Sequence, residues 1–154
     1  MEKALHVNGL ALPTLLIELL NGGRWRHPGD DVMRDLMPWF ESPLDFLTST
    51  EEMRRESRSL TLFADDPPCS HLFRETRGST ATASVELPWL DVEQAVLIAV
   101  NRIPGDDVAM ALDYRTDPAD PQVVASDFWT DPKQCSWQAV TPTFSQLVEV
   151  LRLL

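Results

Sequence analysis

The chain has 154 residues, of which 24 are acidic and 13 basic, for a formal charge of −11. A chain of this length forms one domain, burying roughly 68–70 % of its unfolded surface in a single core. The charge disfavours phosphate backbones, since binding would bring like charges together, and favours basic partners; nucleic acid is therefore not expected.

Leu10 to Leu20 is the longest apolar stretch, and Pro13 and Glu18 break it well short of a membrane span. Cys69 and Cys135 form no CxxC pair and no signal-type apolar run precedes them. The expected compartment is the reducing cytoplasm, without a disulfide framework and away from membranes.

Met1 to Ala11 carries few structural signals. Leu12-Pro13-Thr14 starts a helix, proline being tolerated in a first turn whose N–H groups are unpaired. Leu15, Leu16, Leu19 and Leu20 mark its buried stripe, and Asn21-Gly22-Gly23 stops it. Arg24 to Pro28 is a small basic and aromatic patch that reads as a nucleic-acid contact or as a loop anchor. Asp30-Asp31 caps a short helical piece ended by Pro38, and Trp39, Phe40, Leu44, Phe46 and Leu47 are core anchors. A second helix spans Thr48 to Ser59, with Ser49 and Glu52 as a capping box. Leu60 to Phe63 reads as a short strand. Arg74 to Glu86 is small and polar, the composition of an exposed hairpin tip or loop.

Ala95 to Asn101, Val108 to Tyr114 and Gln122 to Ser126 are short apolar runs rich in β-formers, and predict three adjacent antiparallel strands. The turn Pro104 to Asp107 separates the first two, and Thr116 to Pro121 makes a stiff acidic tip between the others. Trp137 to Val140 is a last strand. Thr141-Pro142 then caps a terminal helix whose Phe144, Leu147, Val148 and Leu151 define one stripe. The expected architecture is α+β: a single domain over 1–154, with a mainly antiparallel curved sheet, helices packed on one face and a C-terminal helix.

No catalytic apparatus emerges. Asp113 to Asp120 lacks the central glycine and distal glutamate of a calcium loop, and His6, His27 and His71 show no zinc-ligand spacing. Cys69-Ser70-His71 is a weak metal or nucleophile cue in a proline-flanked turn. A small hydrolase using Asp106, Asp113 and Asp127 would need a base and an oxyanion site that nothing proposes. No catalytic residue, metal or cofactor is expected.

What stands out is the charge between Gly105 and Pro132, where seven aspartates face the single Arg115. Asp106, Asp107, Asp113, Asp117, Asp120, Asp127 and Asp131, interleaved with Tyr114, Trp129 and Trp137, form a candidate surface for a basic protein partner. Two plainer readings stand beside it: the acids keep the protein soluble, and the aromatics pack in the core.

Six segments occur in an order that resembles the SUKH superfamily, the Smi/Knr-type domain. They are LPTLLIELLNGG (Leu12 to Gly23), SPLDFLTSTEEM (Ser42 to Met53), VLIAVN (Val96 to Asn101), PGDDVAMALDYR (Pro104 to Arg115), WTDPKQCSW (Trp129 to Trp137) and TPTFSQLVEVL (Thr141 to Leu151). The Arg74 to Glu86 segment, and the short run ahead of Leu12, depart from the family pattern. The resemblance implies a curved-sheet binding module without catalysis; a monomer or a homodimer is expected. In its bacterial branch it implies an immunity protein that neutralises a cognate toxin domain in the cytoplasm; an intracellular regulatory adaptor is the alternative.

Overall fold

The computed structural model describes residues 6–7, 9–38, 40, 43–64, 94–102, 109–115, 117–127 and 136–153. The elements run in the order β1 (His6–Val7), β2 (Leu10–Ala11), α1 (Thr14–Asn21), α2 (Asp30–Leu36), β3 (Leu44–Phe46), α3 (Thr50–Ala64), β4 (Ala95–Asn101), β5 (Ala109–Asp113), β6 (Gln122–Asp127), β7 (Ser136–Thr141) and α4 (Phe144–Leu151). This is an α+β domain. Strands β3 to β7 form a five-stranded antiparallel sheet in chain order, and β1 and β2 form a separate two-stranded ribbon.

The expected sheet neighbours pair as read. Leu97 faces Ala111, Ala111 faces Val124, and Val124 faces Ala139. Every residue of β5 is buried, as are Ala95 to Ala99 of β4 and Val123 to Ser126 of β6. Because alternate strand residues point to opposite faces, both faces of the sheet centre are covered.

Serine side chains complete the backbone pairing of the sheet at two places. A bulge shifts the β4 register between Leu97 and Ala99. Strand β3 reaches only as far as Ala99, and the next residue, Leu47, donates its N–H to the Ile98 carbonyl at 2.9 Å. The Leu97 N–H beyond it is taken by buried Ser57 Oγ of α3, also at 2.9 Å. At the far end of β5, Ser126 Oγ accepts from the Ala109 N–H at 3.1 Å and donates to the Ala109 carbonyl at 3.4 Å. Buried backbone groups need such partners because an unpaired one costs about 1–3 kcal/mol.

Helix α1 has Pro13 at its cap and buries Leu16, Ile17 and Leu19, while Leu15 and Leu20 are only partly buried. Gly23 adopts φ +64°, and Arg24 and Trp25 turn their N–H groups back to the Leu19 carbonyl. That reversal drives Trp25 into the core, where its ring centroid lies 4.6 Å from Phe46 and 5.6 Å from Phe144. One aromatic group thereby ties α1, β3 and α4 together. The loop-anchor reading of Arg24 to Pro28 holds at Trp25.

Four local expectations are corrected. Leu60 to Phe63 is not a strand: α3 continues through Ala64. Thr143, rather than Thr141, caps α4, with Oγ1 accepting from the Gln146 N–H at 3.2 Å. Thr141 is still the last residue of β7, and its hydroxyl donates to the Thr143 carbonyl at 2.8 Å. Leu44–Phe46 contributes a strand as well as core anchors, and the first residues form the β1–β2 ribbon, where Gly9 takes φ +78°. The Asn-Gly dipeptide between Val7 and Leu10 is the hairpin signal that points to it. The capping box at α3 is present in altered form. Ser49 Oγ accepts from the Glu52 N–H at 3.1 Å, but Glu52 Oε2 accepts from the Thr48 N–H, one residue earlier than the usual partner. The Arg74 to Glu86 tip and the Pro104 to Asp107 turn lie outside the described residues.

Candidate binding surface

Strand β5 and the tip that follows it carry Asp113, Asp117 and Asp120 of the acidic series, whereas Asp127 ends β6 at the opposite end of the strand pair. Asp113, the last residue of β5, is buried. Its Oδ1 accepts from the Arg115 N–H at 3.1 Å and from Arg115 Nε at 2.9 Å, and its Oδ2 accepts from Arg115 Nη2 at 2.9 Å. The Asp113 side chain is 3 % exposed and that of Arg115 12 %. A carboxylate is stable at such a depth only when paired and hydrogen-bonded, and the fork of one guanidinium supplies both.

Tyr114 is buried beside it. Its backbone N–H donates to the Gln94 carbonyl at 2.8 Å and its hydroxyl to the Ala11 carbonyl at 2.9 Å, which fastens the β1–β2 ribbon to the end of β5. Burial raises its phenol pKa far above the ordinary tyrosine value. Trp137 is also buried, at 2 % exposure. Asp113, Tyr114 and Trp137 are therefore buried and, with Arg115, present little of themselves to a partner.

The next two acids differ. Asp117 is exposed and accepts from the Ala119 N–H at 3.0 Å, a local turn that stiffens the tip. Asp120 is half-buried and reaches the first turn of α4, where Oδ1 accepts from the Ser145 N–H at 3.0 Å and Oδ2 from Ser145 Oγ at 2.7 Å. It thus serves the helix as a second cap, in the position where a negative charge meets the positive end of the dipole. Of Asp127 only the β6 backbone is described, and Asp106, Asp107, Trp129 and Asp131 lie outside the described residues.

A second feature was not read as a site from the sequence. A half-open cleft of about 560 Å³ lies between α2 and the start of β3, lined by His27, Asp30, Met33, Arg34, Met37, Pro38, Phe40, Pro43 and Leu44. Its floor consists of buried Met33, Met37, Phe40 and Leu44. His27 Nδ1 accepts from the Gly29 N–H at 3.0 Å, so the neutral ring carries its proton on Nε2. Gly29, at φ +121°, makes the bend ahead of α2 that a side chain would strain. The available signal was Met33 and Met37 at helical spacing behind exposed acids, a pattern that core packing produces equally well.

Among the described residues no three His, Cys, Asp or Glu side chains gather where they could hold a metal ion, and no helix is long and apolar enough to cross a membrane. No protein-family model, curated protein or solved structure matches the chain.

Proposed function

We propose that this chain is a non-catalytic protein-binding module of the SUKH type, acting in the cytoplasm as an immunity protein that covers and neutralises a basic toxin domain. The observation that carries the reading is the order of six segments from Leu12 to Leu151, including the Gly-Asp-Asp sequence ahead of Leu112-Asp113-Tyr114-Arg115. The α+β architecture and the charge of −11 agree with it. A negatively charged surface steers a positive partner and raises the association rate more than the final affinity.

The two parts of the acidic stretch take different roles in this reading. Buried Asp113, paired with Arg115, and buried Tyr114 hold the tip rigid, while Asp117 presents its charge to solvent. Rigid support matters because a surface that is ordered before binding loses less entropy on contact.

Co-expression with the toxin encoded by a neighbouring reading frame tests the proposal. The expected result is survival of the cells and co-purification of a complex. A neighbouring toxin that kills regardless, or several host proteins captured with no toxin, would overturn it.

A further inference from the structure

We infer that the cleft between α2 and β3 is a receptor for a lysine or arginine side chain of a protein partner, its aliphatic stem on the apolar floor and its charge at Asp30. The inference rests on the reading of the chain as a binder of basic proteins and assigns that partner a contact. Long cationic side chains place their methylenes on apolar surface and keep the charged head in a polar setting, and this cleft offers both parts. Met33, Met37, Phe40 and Leu44 make the floor, and methionine adapts to irregular stems.

The polar rim selects the sign of the ligand. Asp30 is 73 % exposed, and its Oδ1 lies 3.9 Å from His27 Nε2, too far for a hydrogen bond, so the carboxylate is open to an incoming donor. Arg34 is the cation among the lining residues, and its Nη1 is 4.0 Å from Asp31 Oδ1, where the neighbouring carboxylate offsets it. Helix α2 carries three exposed aspartates, at 30, 31 and 35, against that one arginine. A glutamate or aspartate would meet net repulsion here, and a neutral side chain would gain only the floor.

The test uses the full chain with methyl-labelled methionines and four short peptides that are identical except for a central lysine, arginine, norleucine or glutamate. Met33 and Met37 report the cleft, and Met53 and Met110, which do not line it, serve as controls. Lysine and arginine peptides are expected to shift the Met33 and Met37 methyl signals saturably. They should bind about twofold to fivefold more tightly than norleucine, the range of an exposed ion pair. Asp30→Asn should bring lysine down to the norleucine level and leave norleucine unchanged. Equal binding of lysine and norleucine by the native chain, preference for glutamate, or silent Met33 and Met37 signals would each overturn the inference. A toxin neutralised equally by the native chain and by Asp30→Asn would also reject the cleft while sparing the immunity reading. Lysine peptides that bind while no toxin is neutralised would do the converse.

Discussion

Asp113 and Arg115, two residues apart, meet at the end of β5: one guanidinium and its own backbone N–H donate three hydrogen bonds of 2.9 to 3.1 Å to a single carboxylate. Such a closed pair needs no distant partner for the acid, and it sits where β5 turns into the acidic tip.

Removing the Arg115 guanidinium leaves the buried Asp113 carboxylate without its two side-chain donors. Arg115→Met is expected to cost about 3–5 kcal/mol, the range for breaking a buried ion pair, whereas Asp113→Leu combined with Arg115→Met should cost clearly less because no charge is stranded. Urea unfolding of the single and double variants measures both. A double variant as unstable as the single one would show that geometry, and not charge, dominates the site.

Tyr114 supplies a pH prediction with a definite sign. It is the only tyrosine in the chain, so tyrosinate absorbance reports this residue alone. Its folded pKa is raised by burial, so the folded state holds the phenol proton more tightly than the unfolded state. The contribution is fully present below the unfolded value of about 10 and is lost as pH rises above it. Tyrosinate should therefore appear together with loss of the near-ultraviolet dichroism, and in Tyr114→Phe, which has no phenol to titrate, stability should fall less steeply above pH ~10. A phenol that titrates at its ordinary value in the folded protein would contradict the burial.

Ser57 closes the open edge of β4 with one hydroxyl. Ser57→Ala removes the acceptor of the buried Leu97 N–H and should destabilise the domain by about 1–3 kcal/mol. Hydrogen exchange at the Leu97 amide should accelerate beyond what the global loss accounts for, since the edge opens locally. Uniform acceleration across the sheet would assign the serine a packing role only.

Asp117 and Asp120, three residues apart, should separate cleanly in mutagenesis. Asp120→Ala loses two contacts to Ser145 and is expected to cost about 1 kcal/mol of stability, as helix-cap removals do. Asp117→Lys should leave stability nearly unchanged and slow association with a basic partner at low salt. Stopped-flow binding and thermal unfolding of the same two variants read the two effects.

The sequence by itself determined the elements whose signal is local. Short apolar runs rich in β-formers place β4 to β7, helical spacing places α1 and α4, and the Ser49–Glu52 pair marks the start of α3, because each pattern is complete within a few residues. It also carried the net charge. Tertiary structure decided the rest. Leu60 to Phe63 carry as much strand character as helix character in isolation, and in the fold they continue α3, whose earlier Ser57 closes the edge of β4. Trp25 became a core residue only because Phe46 and Phe144 meet it from distant parts of the chain. The division of the aspartates into Asp113 that pairs, Asp120 that caps and Asp117 that faces solvent follows the same rule. A carboxylate's role is set by the donor that reaches it, and for Asp120 that donor, Ser145, lies 25 residues on, beyond β6 and β7 in the first turn of α4.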